Sequence, residues 1–85
     1  KFEEAVEVVN KEKTLKNKIL NNEELLELYG LFKQATKGDN TENKPGYFNT
    51  ESRYKWKAWN NCQGYNTKTS MRKYIKLVQF HFGDF

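Results

Sequence analysis

The chain has 85 residues, enough for one domain that buries roughly 60–65% of its unfolded surface, with little room for a deep catalytic cavity. It is 36% hydrophobic and 31% charged, but its 15% aromatic content excludes a disordered chain, and no apolar run is long enough to suggest a membrane span. Fifteen Lys and Arg against eleven Asp and Glu give a net charge of +4, which suits an anionic partner (nucleic acid, a phosphorylated small molecule or an acidic membrane) or simply a well-solvated surface.

Lys1 to Asn10 places Phe2, Ala5, Val6 and Val9 at i, i+3, i+4 and i+7, with Glu3, Glu4 and Glu7 off that stripe. This predicts an amphipathic helix lacking part of its N-terminal turn. Lys11 to Asn21 is rich in lysine and asparagine around Leu15, Ile19 and Leu20, and a connecting loop is predicted there. Asn21 with Glu24 three residues on forms a helix start. The second helix runs to about Lys37, with Leu25, Leu28, Tyr29, Phe32 and Ala35 on one apolar arc, Lys33 at its margin and Gly38 as its stop.

Asp39 to Glu51 reads as a long loop in which Lys44-Pro45-Gly46 marks a turn and Tyr47 and Phe48 are expected to fold back onto the core. The third helix spans Ser52 to about Gln63 and is closed by Gly64. Its apolar arc holds Tyr54, Trp56, Ala58, Trp59 and Cys62, and Lys55 falls inside it. A lysine there either snorkels along the stripe or neutralises a bound anion. Asn66 or Thr67 caps a fourth helix carrying Met71, Tyr74, Ile75, Val78 and Phe82 and ended by Gly83. Four amphipathic helices, no credible strand and one long crossover make residues 1–85 a single all-α bundle.

An enzyme reading finds little support. His81 stands alone off the fourth stripe and is expected to be solvated, and Cys62 sits where a small buried hydrophobe belongs. That lone cysteine also excludes an internal disulfide and fits a reducing compartment. There is no Gly-rich phosphate loop, nucleophile elbow or metal-spaced cluster, so no catalytic residue and no metal site is expected. The acidic pairs Glu3-Glu4 and Glu23-Glu24 fall at helix starts, where the macrodipole accounts for them. What remains is a set of polar groups on apolar faces of three helices: Tyr29, Lys33, Lys55 and Tyr74. Two ammonium groups and two phenols converging in a small bundle suit a phosphate, and nearby rings offer a base a stacking face. Taken singly, each is equally an ordinary core tyrosine or surface lysine, and neither lysine is expected to have a structural partner. The chain begins at Lys1 rather than at a methionine, as a trimmed protein or a piece of a longer one would, and carries no secretory-leader pattern.

YGLFKQATKGD, NTENKPGYFN, YKWKAWN, the Gly64 turn and MRKYIKLV follow one another in the order, and near the spacing, of the acyl-CoA-binding protein family. The chain resembles that family from about Phe2 to Val78. The resemblance implies a four-helix up-down-down-up bundle and non-catalytic binding of medium- to long-chain acyl-CoA for transport and pool buffering. It further implies a cytoplasmic monomer with no cofactor, whose partner is the long-chain acyl-CoA itself. By position, it assigns Tyr29, Lys33 and Lys55 to the nucleotide 3′-phosphate and Tyr74 to a ligand contact on the fourth helix. Phe32 replaces the usual second tyrosine beside the adenine, keeping the ring and losing the hydroxyl. Phe2, Ala5, Val6, Val9 and Trp56 are expected to line the acyl chain, with Trp59 in the core. Asn10, followed by Lys11, stands where the family usually offers a lysine, and the first loop, Lys11 to Asn22, is longer than the family's short connection. A basic helical nucleic-acid-binding module is the competing reading, with a protein-interaction module as a third. A nucleic-acid binder should concentrate its cations along one exposed helix, whereas here lysines are scattered and the arginines are Arg53 and Arg72, so no nucleic-acid partner is expected.

Overall fold

The computed structural model describes residues 1–15 and 20–83. Its four helices are α1 (Phe2–Leu15), α2 (Asn22–Lys37), α3 (Thr50–Asn60) and α4 (Thr67–Phe82), and the described residues contain no strand. The first helix outruns the prediction: Lys11 to Leu15, read as loop, continues α1. Lysine, glutamate and leucine are strong helix formers, and Glu7 and Lys11 stand at the favourable i,i+4 spacing, so a polar stretch without a stripe still prolongs the helix. The connection to α2 therefore starts after Leu15. Ile19, assigned to it, lies outside the described residues, and Leu20 is buried in the core.

The boundaries of α2 and α4 follow from caps, whereas α3 starts at Thr50 without a side-chain cap and ends at Asn60, short of the expected Gln63, with residues 61–64 in a turn. The Asn21 side chain accepts from the Glu24 N–H, and the Glu24 carboxylate accepts from the Asn21 N–H, both at 2.8 Å, completing a capping box. Gly38, at φ +83, closes α2 by donating its N–H to the Gln34 carbonyl. Asn66, not Thr67, caps α4, its side chain accepting from the Thr69 N–H at 2.8 Å.

Contacts between helices fix their directions. Tyr29 faces Lys55, Gly30 faces Ala58 and Lys33 faces Trp59, so residue numbers rise together and α2 and α3 run parallel. Glu24 meets His81, Phe32 meets Tyr74 and Gln34 reaches Tyr65, so α4 runs against α2. Phe2 stacks on Phe32 in the second half of α2, while Val9 and Asn10 share a wall with Asn22 and Leu25 at its start, so α1 also opposes it. The order is up-down-down-up. The described residues span 37 × 28 × 15 Å along their principal axes, and two grooves open between the helices.

Ala5, Val9, Leu20, Leu28, Leu31, Cys62, Tyr74 and Val78 form the core. Between α2 and α3 the backbones nearly touch, because a Cβ on Gly30 would lie 2.4 Å from the Ala58 carbonyl oxygen. Beyond that contact, α2 ends in a knot of polar bonds. Gln34, 1% exposed, donates both amide hydrogens, to Asp39 at 2.7 Å and to the Tyr65 carbonyl at 3.0 Å. The same Asp39 oxygen accepts the Gly64 N–H at 2.9 Å, and Trp59 Nε1 donates to the Gly38 carbonyl at 2.8 Å.

Two expectations need correction. Tyr47 and Phe48 do not fold onto the core; they are 81% and 93% exposed. The α2–α3 loop is held instead through its backbone, by Trp59 on Gly38 and by Trp56 Nε1 on the Glu42 carbonyl at 2.7 Å, so its aromatics are not needed as anchors. His81 is not solvated: it is half-buried, with Nε2 3.6 Å from the second oxygen of the Glu24 carboxylate.

Replacing Gly30 with alanine drives a methyl into backbone that cannot rotate away. Overpacking of this kind costs about 1–3 kcal/mol or more, against the roughly 1 kcal/mol that alanine gains over glycine in a helix. Urea unfolding of Gly30→Ala should therefore show a net loss of stability, and a gain would disprove the close approach. Asp39 gives a pH test. The Gly64 N–H and then the Gln34 amide hold its carboxyl below the ordinary aspartate value. A pKa lower in the folded state stabilises above the unfolded value and loses that contribution as pH falls through the folded one. Part of the acid destabilisation below about pH 4 should disappear in Asp39→Asn, measured by thermal unfolding across that range.

Candidate functional site

A cleft of about 660 Å³ opens among the four helices. Its α1 wall is formed by Val6, Val9 and Asn10, and its α2 floor by Asn22, Leu25, Leu26, Leu28, Tyr29, Phe32 and Lys33. The α3 wall is formed by Glu51, Tyr54 and Lys55, and α4 contributes Tyr74. Apolar side chains therefore dominate the α1 side, and the charges lie along α3 and the adjoining face of α2.

The five residues assigned to the ligand head, Tyr29, Phe32, Lys33, Lys55 and Tyr74, all line this cleft. Contrary to expectation, both lysines have structural partners. Lys33 is half-buried, with Nζ 4.7 Å from the centre of the Trp59 ring. Lys55 Nζ lies 5.5 Å from the Tyr29 ring and 3.4 Å from a Glu51 carboxylate oxygen, in a pair whose side chains are 48% and 84% exposed. Lys55 therefore neither runs along the buried stripe nor lacks a counter-ion. Tyr74 is buried, and burial pushes its phenol up to about 12, so near neutrality it is a neutral hydroxyl on the wall.

Phe32, at the edge of the cleft, lies nearly parallel to Phe2, with ring centres 6.2 Å apart, and Tyr74 meets Phe2 edge-on at 5.1 Å. These three rings form an aromatic corner in which Phe2 backs the wall rather than lining it. Of the other residues expected along an acyl chain, Val6 and Val9 line the cleft and Ala5 is fully buried behind it. Trp56 lies away from the wall, bonded through Nε1 to Glu42 and through its carbonyl to Asn40 Nδ2, with Lys44 5.8 Å from its ring. Trp59 is in the core, as the sequence indicated. Asn10 lines the cleft, and the exposed Lys11 does not.

Sequence reasoning missed Glu51, Tyr54, Asn22 and Leu26 as wall residues. One signal was available for two of them: Glu51 precedes Tyr54 and Lys55 by three and four positions, which puts all three on one side of α3. Burial and then Glu27 raise the Cys62 thiol pKa, which disfavours the thiolate, and its Sγ donates to the Ala58 carbonyl at 3.6 Å.

Two cations and a neutral phenol facing an apolar wall suit an amphipathic anion with a charged head and a greasy tail. The fold and the cleft thus define a small helical bundle built to hold such a ligand. Comparison with known proteins narrows that class. The sequence profile of the family described as Acyl CoA binding protein matches residues 1–78. The chain is 48% identical over 77 residues to the Acyl-CoA-binding protein of Saccharomyces cerevisiae, covering 91% of this chain and 84% of that protein. The crystal structure of Oryza sativa Acyl-CoA-Binding Protein 2 superposes with a TM-score of 0.78 at 44% identity, covering 93% of this chain and 87% of that one. The solution structure of the acyl CoA binding protein from Babesia bovis T2Bo gives 0.73 at 33% identity, covering 94% and 88%. The chain belongs to the acyl-CoA-binding protein family.

The lysine partners predict a measurable asymmetry without ligand. An ammonium over an indole is worth about 0.5–1 kcal/mol, and more when partly desolvated. An exposed i,i+4 ion pair is worth about 0.3–0.5 kcal/mol. In chemical denaturation Lys33→Ala should therefore cost more stability than Lys55→Ala, and the reverse order would show that Lys33 does not rest on Trp59.

Proposed function

We propose that this protein binds medium- to long-chain fatty acyl-CoA thioesters in the cleft, without catalysis, and serves their intracellular transport and pool buffering as a cytoplasmic monomer. Residues 1–85 act as a single acyl-CoA-binding domain. The observation that carries the reading is the division of one cleft into an apolar α1 side (Val6, Val9) and a face bearing Lys33, Lys55 and Tyr29. In this reading the acyl chain lies against α1, with Val6 and Val9 in contact and Ala5 and Phe2 packed behind. Lys33, Lys55 and the Tyr29 hydroxyl hold the nucleotide 3′-phosphate, Tyr74 donates its hydroxyl to the ligand, and Phe32 stacks on the adenine from the aromatic corner.

The magnitudes agree with such a division of labour. Burial is worth about 0.8 kcal/mol per methylene, so ten methylenes contribute on the order of 8 kcal/mol before ordering costs are subtracted. That energy does not distinguish an acyl-CoA from a free fatty acid; the phosphate contacts do.

The closing test is calorimetric titration of acyl-CoA and of the corresponding dephospho-CoA thioester. A charge-assisted hydrogen bond is worth about 1.5–3 kcal/mol, so Lys33→Ala and Lys55→Ala should each weaken acyl-CoA binding roughly ten- to hundredfold. The loss should be much smaller for the thioester that lacks the 3′-phosphate. Glu51→Gln should tighten binding by about twofold, because it frees Lys55 from an exposed carboxylate, and this gain should vanish in a Lys55→Ala background. Equal losses for both thioesters would show that the lysines do not read the 3′-phosphate, and no acyl-CoA binding at all would end the proposal.

A further inference from the structure

The α2–α3 loop leaves two large rings in water. Tyr47 and Phe48 are 81% and 93% exposed and meet edge to face, with ring centres 5.5 Å apart. Their base is braced: Asn49 donates its N–H to the Gly46 carbonyl at 3.0 Å, and Arg53 Nη1 donates to the Pro45 carbonyl at 3.2 Å. Cations flank this base. The Arg53 guanidinium lies 5.8 Å from the Tyr47 ring, and Lys44 lies the same distance from Trp56 behind the loop. Two carboxylates are near in sequence: Glu51 is paired with Lys55, and Glu42 is an exposed residue whose carbonyl is taken by Trp56.

A braced aromatic pair with cations at its root matches the depth profile of a lipid interface, where rings sit at the headgroup boundary and ammonium or guanidinium groups meet the phosphates. A soluble anion would engage the cations and leave both rings in water. We infer that this loop docks the protein on anionic phospholipid surfaces, with Tyr47 and Phe48 inserted at the interface and Lys44 and Arg53 at the phosphate level. Docking also positions the cleft. Phe48 is three residues from Glu51, so their Cα atoms lie within about 11 Å of each other, and Glu51 begins the α3 wall. The inference rests on the acyl-CoA reading only for its purpose, exchange of cargo at the membrane, and not for the contact itself.

Flotation with vesicles of pure phosphatidylcholine and of a phosphatidylcholine–phosphatidylserine mixture tests it, alongside acyl-CoA titration in vesicle-free buffer. The wild-type protein should float with the mixed vesicles and far less with the neutral ones, and rising salt should release it. The double variant Tyr47→Ser, Phe48→Ser should partition at least about tenfold more weakly, and Lys44→Gln about fivefold more weakly. Unchanged circular dichroism and unchanged acyl-CoA affinity of the double variant would confirm that the rings serve docking alone. A double variant that floats like wild type overturns the inference, as does wild-type protein that ignores both vesicles and so leaves the rings to a protein partner. Loss of acyl-CoA affinity in the vesicle-free double variant would likewise overturn it by assigning the rings to the ligand. Failure of the acyl-CoA reading would show separately, as wild-type protein with no titration signal.

Discussion

The arrangement of the cleft depends on the contact between Gly30 and Ala58. With no side chain on Gly30, the α2 backbone comes within touching distance of the α3 carbonyls, closer than any pair of ordinary residues allows. That contact fixes the register of two parallel helices, which no short turn can set because a long loop joins them. Tyr29 stands immediately before the contact on α2, and Lys55 three positions before it on α3; Lys33 and Trp59 stand just after it. Both cation–ring pairs are thus set by a place where a side chain is missing.

The polar knot at the end of α2 holds the other end of the same assembly. A buried glutamine is costly unless its hydrogens are used, and Gln34 uses both, one on Asp39 and one on the Tyr65 carbonyl. Asp39 in turn accepts the Gly64 N–H, so the end of α2 is tied to the turn between α3 and α4. Trp59 adds its indole N–H to Gly38 from the α3 side. Two connections that share no sequence are joined through side chains one helical turn beyond Gly30.

This explains what the sequence revealed and what it concealed. Four stripes, the caps at Asn21, Gly38 and Gly83 and a helix start at Asn66 or Thr67 were legible, since periodicity and capping are local. Four of the five headgroup candidates were also legible as polar groups on apolar faces, and Phe32 as a motif position alone, and the five do share one cleft. The phase of α2 was not. Its predicted arc combined Leu28 and Ala35, which are buried, with Leu25, Tyr29 and Phe32, which face the cleft, and omitted Gly30, Leu31 and Gln34, which are buried. A stripe lining an apolar groove has the same period as one lining a core, so periodicity cannot separate them. Trp56 shows a similar limit: the resemblance put it on the wall, but its N–H found an acceptor in the loop. The end of α1 was missed because a helix of lysine and glutamate announces itself by propensity, not by pattern.

The resting state of the cations bears on selectivity within the acyl-CoA reading. Lys33 rests on an indole, and Lys55 on a phenol ring and a carboxylate, so neither waits as a bare charge. An incoming anion must exceed those contacts. A cation–π contact of about 0.5–1 kcal/mol and an exposed ion pair of about 0.3–0.5 kcal/mol are easily outbid by charge-assisted bonds of about 1.5–3 kcal/mol each. A phosphate dianion offers several acceptor oxygens and can draw on both lysines at once. A single carboxylate brings one charge and two acceptor oxygens, so it forms fewer such bonds and gains little over the partners already present. In that reading, the weak internal partners would act as a threshold that a nucleotide phosphate crosses and a fatty acid carboxylate does not. The apolar wall, which would accept either tail, gains its discrimination from the opposite side of the cleft.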